Sequence, residues 1–105
     1  MSSFMMITGA LGGLGGALVR ECAKRGYDVY LTDLPEQDGG ITAAISKQYG
    51  VQARYLSCNL TDRDSRTHLL DTLAAEEVHF WGLMNVAGRD FEGAFLERTR
   101  DQLLY

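Results

Sequence analysis

Several protein classes are excluded by what this chain has little of. One proline and two cysteines stand among 105 residues. Two thiols make no disulfide framework, and neither Cys22 nor Cys58 has ligand-like neighbours, so both read as reduced packing residues of a cytoplasmic protein. No apolar stretch approaches the roughly 20 residues of a membrane span, and the start of the chain lacks the basic region and hydrophobic core of an export signal. Ten Lys and Arg face fourteen Asp and Glu, and a net charge of −4 gives no electrostatic reason to expect nucleic acid or a membrane as partner. His68 and His79 have no Cys, His or acid cluster at metal spacing beside them, so they read as solvent-facing or capping residues and no metal site is expected. A hydrophobic content of 46% sets disorder aside and points to one modest core.

Glycine is what the chain has early. Residues 8 to 15, Thr-Gly-Ala-Leu-Gly-Gly-Leu-Gly, follow the apolar run Met5-Met6-Ile7 and open onto a helical pattern. A strand that turns through glycines into a helix N-terminus places exposed amides and the positive end of the helix dipole where a phosphate can sit. Gly9 would let the chain turn off the strand, Gly13 would leave the backbone open to an anion, and Gly15 would let the helix pack closely. Leu11, Gly12 and Leu14 complete the candidate cradle. The spacing is not Gly-x-Gly-x-x-Gly, and no Lys follows a Gly as a P-loop requires. Without its context such a turn is equally a flexible connection.

The context adds a βαβ unit. Leu14, Ala17, Leu18 and Cys22 are expected on the buried face of the first helix and Arg20, Glu21, Lys24 and Arg25 on the other, with Gly26 as the stop. Val29-Tyr30-Leu31 reads as the second strand. Asp33 lies just past it, eighteen residues after Gly15, near the spacing of an acid that binds the adenosine ribose hydroxyls. The alternative is a plain strand end at Asp-Leu-Pro, where acid and proline both favour a turn.

In these features the chain resembles the short-chain dehydrogenase/reductase family. The matching residues are Thr8, Gly9, Gly13 and Gly15 for its Thr-Gly-x-x-x-Gly-x-Gly, Asp33 for its ribose acid, Asn59-Leu60 for its adenine-side pair, and Asn85-Val86-Ala87-Gly88 for its Asn-Asn-Ala-Gly, with Val86 in place of the second Asn. The order is the family's, and the resemblance extends over the whole chain but only the first half of the family's fold. It implies an oxidoreductase interconverting alcohol and carbonyl by hydride transfer. It also implies a catalytic Ser and a Tyr-x-x-x-Lys, neither of which can be placed here. The two lysines, Lys24 and Lys47, are preceded four residues earlier by Arg20 and Ala43. No catalytic residue is therefore assigned, and the chain is expected to bind rather than turn over, since general acid/base help contributes typically 10²–10⁴-fold. A dinucleotide-binding or assembly module without chemistry is the other reading.

The remaining segments keep alternating. Ile41, Ala44, Ile45 and Tyr49 predict a second helix ending at Gly50, Val51 to Leu56 a third strand, and Leu69, Leu70, Leu73 and Ala74 the apolar side of a third helix capped by Thr61. Phe80 to Val86 predicts an apolar fourth strand, and Leu96 to Tyr105 the start of a fourth helix. The expected architecture is a three-layer α/β Rossmann-type parallel sheet, order 3-2-1-4, with residues 1–105 forming one partial domain truncated after the start of that helix. Asn59 and Asn85 also have plain structural readings, as a turn closer and as a tie between loops. Asp33 would repel a 2′-phosphate, and the resemblance implies the same choice, since Gly12 and Leu34 stand where family members that prefer NADP often carry a basic residue; NAD is the expected cofactor. Self-association through the edge of the fourth strand or through the last helix is expected, because an unpaired apolar edge invites another chain.

Overall fold

The computed structural model describes residues 3–86. Within them β1 (Ser3–Thr8), α1 (Gly13–Lys24), β2 (Asp28–Asp33), α2 (Ile41–Tyr49), β3 (Ala53–Ser57), α3 (Arg63–Glu76) and β4 (His79–Asn85) alternate strictly. All strand pairs are parallel and the order is β3-β2-β1-β4. Each crossover therefore carries a helix, and β1, paired on both sides, reads as apolar along nearly its whole length.

The two-residue period of β1 and β2 sorts the core into two layers. Ile7, Val29 and Leu31 point to one face, where Val19, Cys22 and Ala23 of α1 and Ile45 of α2 meet them. Phe4, Met6 and Tyr30 point to the other, with Leu73 of α3 packed against them. The Tyr30 ring meets Phe4 and Phe80 edge-on, and its hydroxyl donates to Glu76 Oε1 at 2.8 Å. Burial, reinforced by that carboxylate, holds the phenol well above its ordinary pKa of 10.

Several local expectations are corrected. Leu14 and Ala17 of α1 are exposed and Leu18 only half-buried; the buried face runs through Gly15, Gly16, Val19, Cys22 and Ala23. The helix approaches the sheet along its smallest residues, which apolar periodicity does not register. Thr61 is not the cap of α3. Asp62 is, its carboxylate accepting from the Ser65 N–H at 2.9 Å, while the Thr61 hydroxyl donates to Asn59 Oδ1. Leu70, Ala74 and Ala44 are exposed, and Val51 is buried but precedes β3. In β4, Trp81 and Leu83 are exposed, and a bulge between Phe4 and Met5 of the partner strand breaks the register. The expected fourth helix, and Ala87 and Gly88, lie outside the described residues.

Candidate dinucleotide site

The C-terminal ends of the strands bring the turns after β1, β2 and β3 together. Gly9 has φ 64°, the left-handed region that L side chains avoid, and its carbonyl accepts from the Gly12 N–H at 3.2 Å. Gly12 is the N-cap of α1, whose first turn holds no acid. The positive end of the helix is therefore uncompensated by any side chain of that turn.

Gly13 and Gly15 have different physical reasons. A Cβ on Gly15 would lie 1.9 Å from the Gly9 carbonyl oxygen and 2.7 Å from its carbon, whereas a Cβ on Gly13 would meet nothing within 4 Å. Gly15 is thus required by the turn itself. At Gly13 the missing side chain leaves open space beside the helix N-terminus, as a backbone cradle for an anion needs.

Asp33 is the last residue of β2 and closes this turn from the side. Its Oδ2 accepts from the Leu11 N–H at 2.9 Å and its Oδ1 from the Leu34 N–H at 2.7 Å, while its main-chain carbonyl accepts from the Cys58 N–H at 2.9 Å. A cleft of about 680 Å³ runs from Leu11, Gly12 and Gly13 to the segment from Pro35 to Ile41. Among the described residues Arg20 is the one basic residue lining it, its Nη1 donating to the Gly16 carbonyl at 3.1 Å. Asp38, on the far wall, is engaged by α2: it accepts from the Thr42 hydroxyl, from the Gly40 N–H at 2.9 Å and from the Thr42 N–H at 3.0 Å. The Thr42 hydroxyl first, and the Gly40 N–H next, hold this carboxyl below its ordinary pKa.

The two asparagines tie neighbouring turns and strand ends together. Asn59 Oδ1 accepts from the Thr61 N–H and hydroxyl, closing the turn between β3 and α3, and the Leu60 carbonyl accepts from Arg66 Nη1 at 2.7 Å. Asn85 Oδ1 accepts from the Thr8 hydroxyl at 2.6 Å, tying the ends of β4 and β1. Thr32, opposite Thr8 on β2, is fully buried, and its hydroxyl finds no partner among the described residues. Sequence reasoning missed the Asp33 to Leu11 bond and the cleft beside α2. Neither leaves a spacing signal, because both depend on how the β1–α1 turn leans over β2.

A parallel sheet with a glycine turn at a helix N-terminus and an acid ending the next strand defines a Rossmann-type nucleotide-binding protein. Comparison with known proteins narrows the class. Residues 3–104 match the short chain dehydrogenase family, and the chain belongs to it, a family of oxidoreductases that use a nicotinamide cofactor. It is 31% identical over 84 residues to a cyclopentanol dehydrogenase of Comamonas, covering 80% of this chain and 34% of that enzyme. It is 35% identical over 71 residues to the cis-4-hydroxycyclohexanecarboxylate dehydrogenase of Sinomonas cyclohexanicum, covering 68% of this chain and 28% of that enzyme. Among solved structures, a short-chain dehydrogenase from Sphingobium yanoikuyae in complex with NADPH superposes with a TM-score of 0.74 at 25% identity, over 97% of this chain and 40% of that one. The chain thus spans about a third of the length of the curated relatives it matches. Among the described residues no helix is long and apolar enough to cross a membrane.

Proposed function

We propose that the chain is the NAD(H)-binding half of a cytoplasmic oxidoreductase that interconverts an alcohol and a carbonyl by hydride transfer. The observation that carries this reading is the Asp33 carboxylate beside the Gly9–Gly15 turn, with open space at Gly13. In it the amides around Gly12 and Gly13 and the N-terminus of α1 hold the pyrophosphate. Asp33 accepts hydrogen bonds from the ribose diol, and Asn59, Leu60 and Asn85 flank the adenine and nicotinamide ends; Ala87 and Gly88, outside the described residues, are assigned to the site by the motif alone. The bound nicotinamide supplies the hydride chemistry; this chain supplies binding and orientation.

The Sphingobium structure contains NADPH, so a relative with this fold accepts the 2′-phosphate. Here a carboxylate stands at the end of β2 and would repel that group at short range. Calorimetric titration with NAD(H) and NADP(H) tests the reading: tighter binding of NAD(H) is expected, and equal or reversed affinities would overturn it.

The second reading, a binding module without chemistry of its own, is favoured by one fact: no Tyr stands four residues ahead of a Lys in these 105 residues. The chain assayed alone should then show no turnover with any alcohol or ketone. Self-association through β4 is proposed on the exposure of Trp81 and Leu83 along the strand that ends the described sheet. Sedimentation that stays monomeric as concentration rises would refute it.

A further inference from the structure

We infer that Asp33 is a positioning residue for the glycine-rich turn, and that the same carboxylate which meets the ribose holds the pyrophosphate-binding backbone in its binding-competent shape. An ionised carboxylate offers about four lone-pair directions on two oxygens. Two are used inside the chain, by the Leu11 N–H at 2.9 Å and the Leu34 N–H at 2.7 Å. One direction on each oxygen remains, enough for a diol.

The position of the residue gives these bonds leverage. Leu11 sits at the crest of the turn, between Gly9 with its positive φ and the N-cap Gly12. The Ala10 N–H reaches only the Thr32 carbonyl, at 3.3 Å, and the Asp33 carbonyl holds the Cys58 N–H at 2.9 Å. One residue therefore joins the turns after β1, β2 and β3. A hydrogen bond to a charged acceptor is worth about tenfold or more in an equilibrium constant, so losing it loosens a turn made largely of glycine. The two roles have opposite electrostatic consequences. Removing a negative charge near a diphosphate can only help the diphosphate, unless that charge also shapes the cradle.

The test uses the full chain, its Asp33→Ala variant, and two probes, ADP and 2′,3′-dideoxy-ADP. Ala keeps no acceptor, so the Leu11 and Leu34 N–H groups both lose their partner. The ligand comparison rests on the dinucleotide reading; amide exchange of Leu11, followed by NMR without ligand, does not. In the variant we expect the preference for ADP over its dideoxy form to vanish, dideoxy-ADP affinity to fall by about tenfold, and the Leu11 N–H to exchange about tenfold faster with Leu31 unchanged. Dideoxy-ADP bound equally or more tightly by the variant overturns the positioning role, as does unchanged exchange at Leu11. Equal weakening of both nucleotides with their ratio kept marks a general loosening and overturns it too. If the wild type binds neither nucleotide while Leu11 exchange still quickens in the variant, the dinucleotide reading falls and the positioning role stands. Should Asp33→Ala fail to fold, the wild-type Leu11 N–H decides: exchange at least tenfold slower than in an unstructured chain supports the role, and unprotected exchange overturns it.

Discussion

The two faces of this sheet are packed in different ways. Against α1 and α2, nine buried residues, from Ile7 to Val51, form one dry layer. Against α3, among the described residues, only Phe4, Met6 and Tyr30 are buried together, and the layer is completed by polar chemistry: the Tyr30 hydroxyl on Glu76, Arg54 3.6 Å from the same carboxylate, and the Arg54 guanidinium 5.2 Å from the centre of the Phe4 ring. The first layer lies beneath the glycine turn. Burial there does more than stabilise: it presses α1 onto the β1 end so closely that only glycine fits at position 15. The second layer is softer and mixed in character.

The largest expected effect is on the dry face. Ile7→Ala removes a fully buried side chain of β1 and should destabilise by about 4 kcal/mol, whereas Leu73→Ala on the half-buried side of α3 should cost about 2 kcal/mol. Urea unfolding of both variants measures the difference; equal losses would erase the contrast between the layers. Next, Gly15→Ala drives a Cβ into the Gly9 carbonyl and should cost about 3 kcal/mol, more than its gain in helix propensity returns. The smallest effect belongs to the polar face. Tyr30→Phe should lose about 1 kcal/mol near neutral pH. Because the folded-state pKa of Tyr30 is raised, its contribution is present below the unfolded value of 10 and is lost as pH rises beyond it. Stability curves run into the alkaline range should therefore fall less steeply for Tyr30→Phe than for the wild type.

The contrast also explains what could be read from the sequence. The alternation of elements and the strand order were legible because they rest on apolar runs, glycine stops and the crossover rule. The buried face of α1 was not, because Gly15 and Gly16 carry no apolar signal, although they are where helix and turn meet. Thr61 and Asp62 are adjacent residues whose side-chain oxygens can both cap a helix. The structure selects Asp62 because Asn59 already holds the Thr61 hydroxyl. At the site, the glycine spacing and Asp33 were legible as motif. The partners of Asp33 and Asn85 were not, since Leu11 and Thr8 lie 22 and 77 residues away in the chain.

If the glycine turn is a cradle for a dinucleotide's phosphates, Gly13 is the position that separates binding from folding. A Cβ there meets nothing within 4 Å among the described residues, so Gly13→Ala should leave stability within about 1 kcal/mol of the wild type while obstructing the anion's approach. Calorimetric titration of NADH into both proteins, with urea unfolding in parallel, is the direct measurement. An affinity at least tenfold weaker is expected for Gly13→Ala at matched stability; equal affinity for the two proteins, or no binding by the wild type, would mean that the turn does not hold a dinucleotide's phosphates.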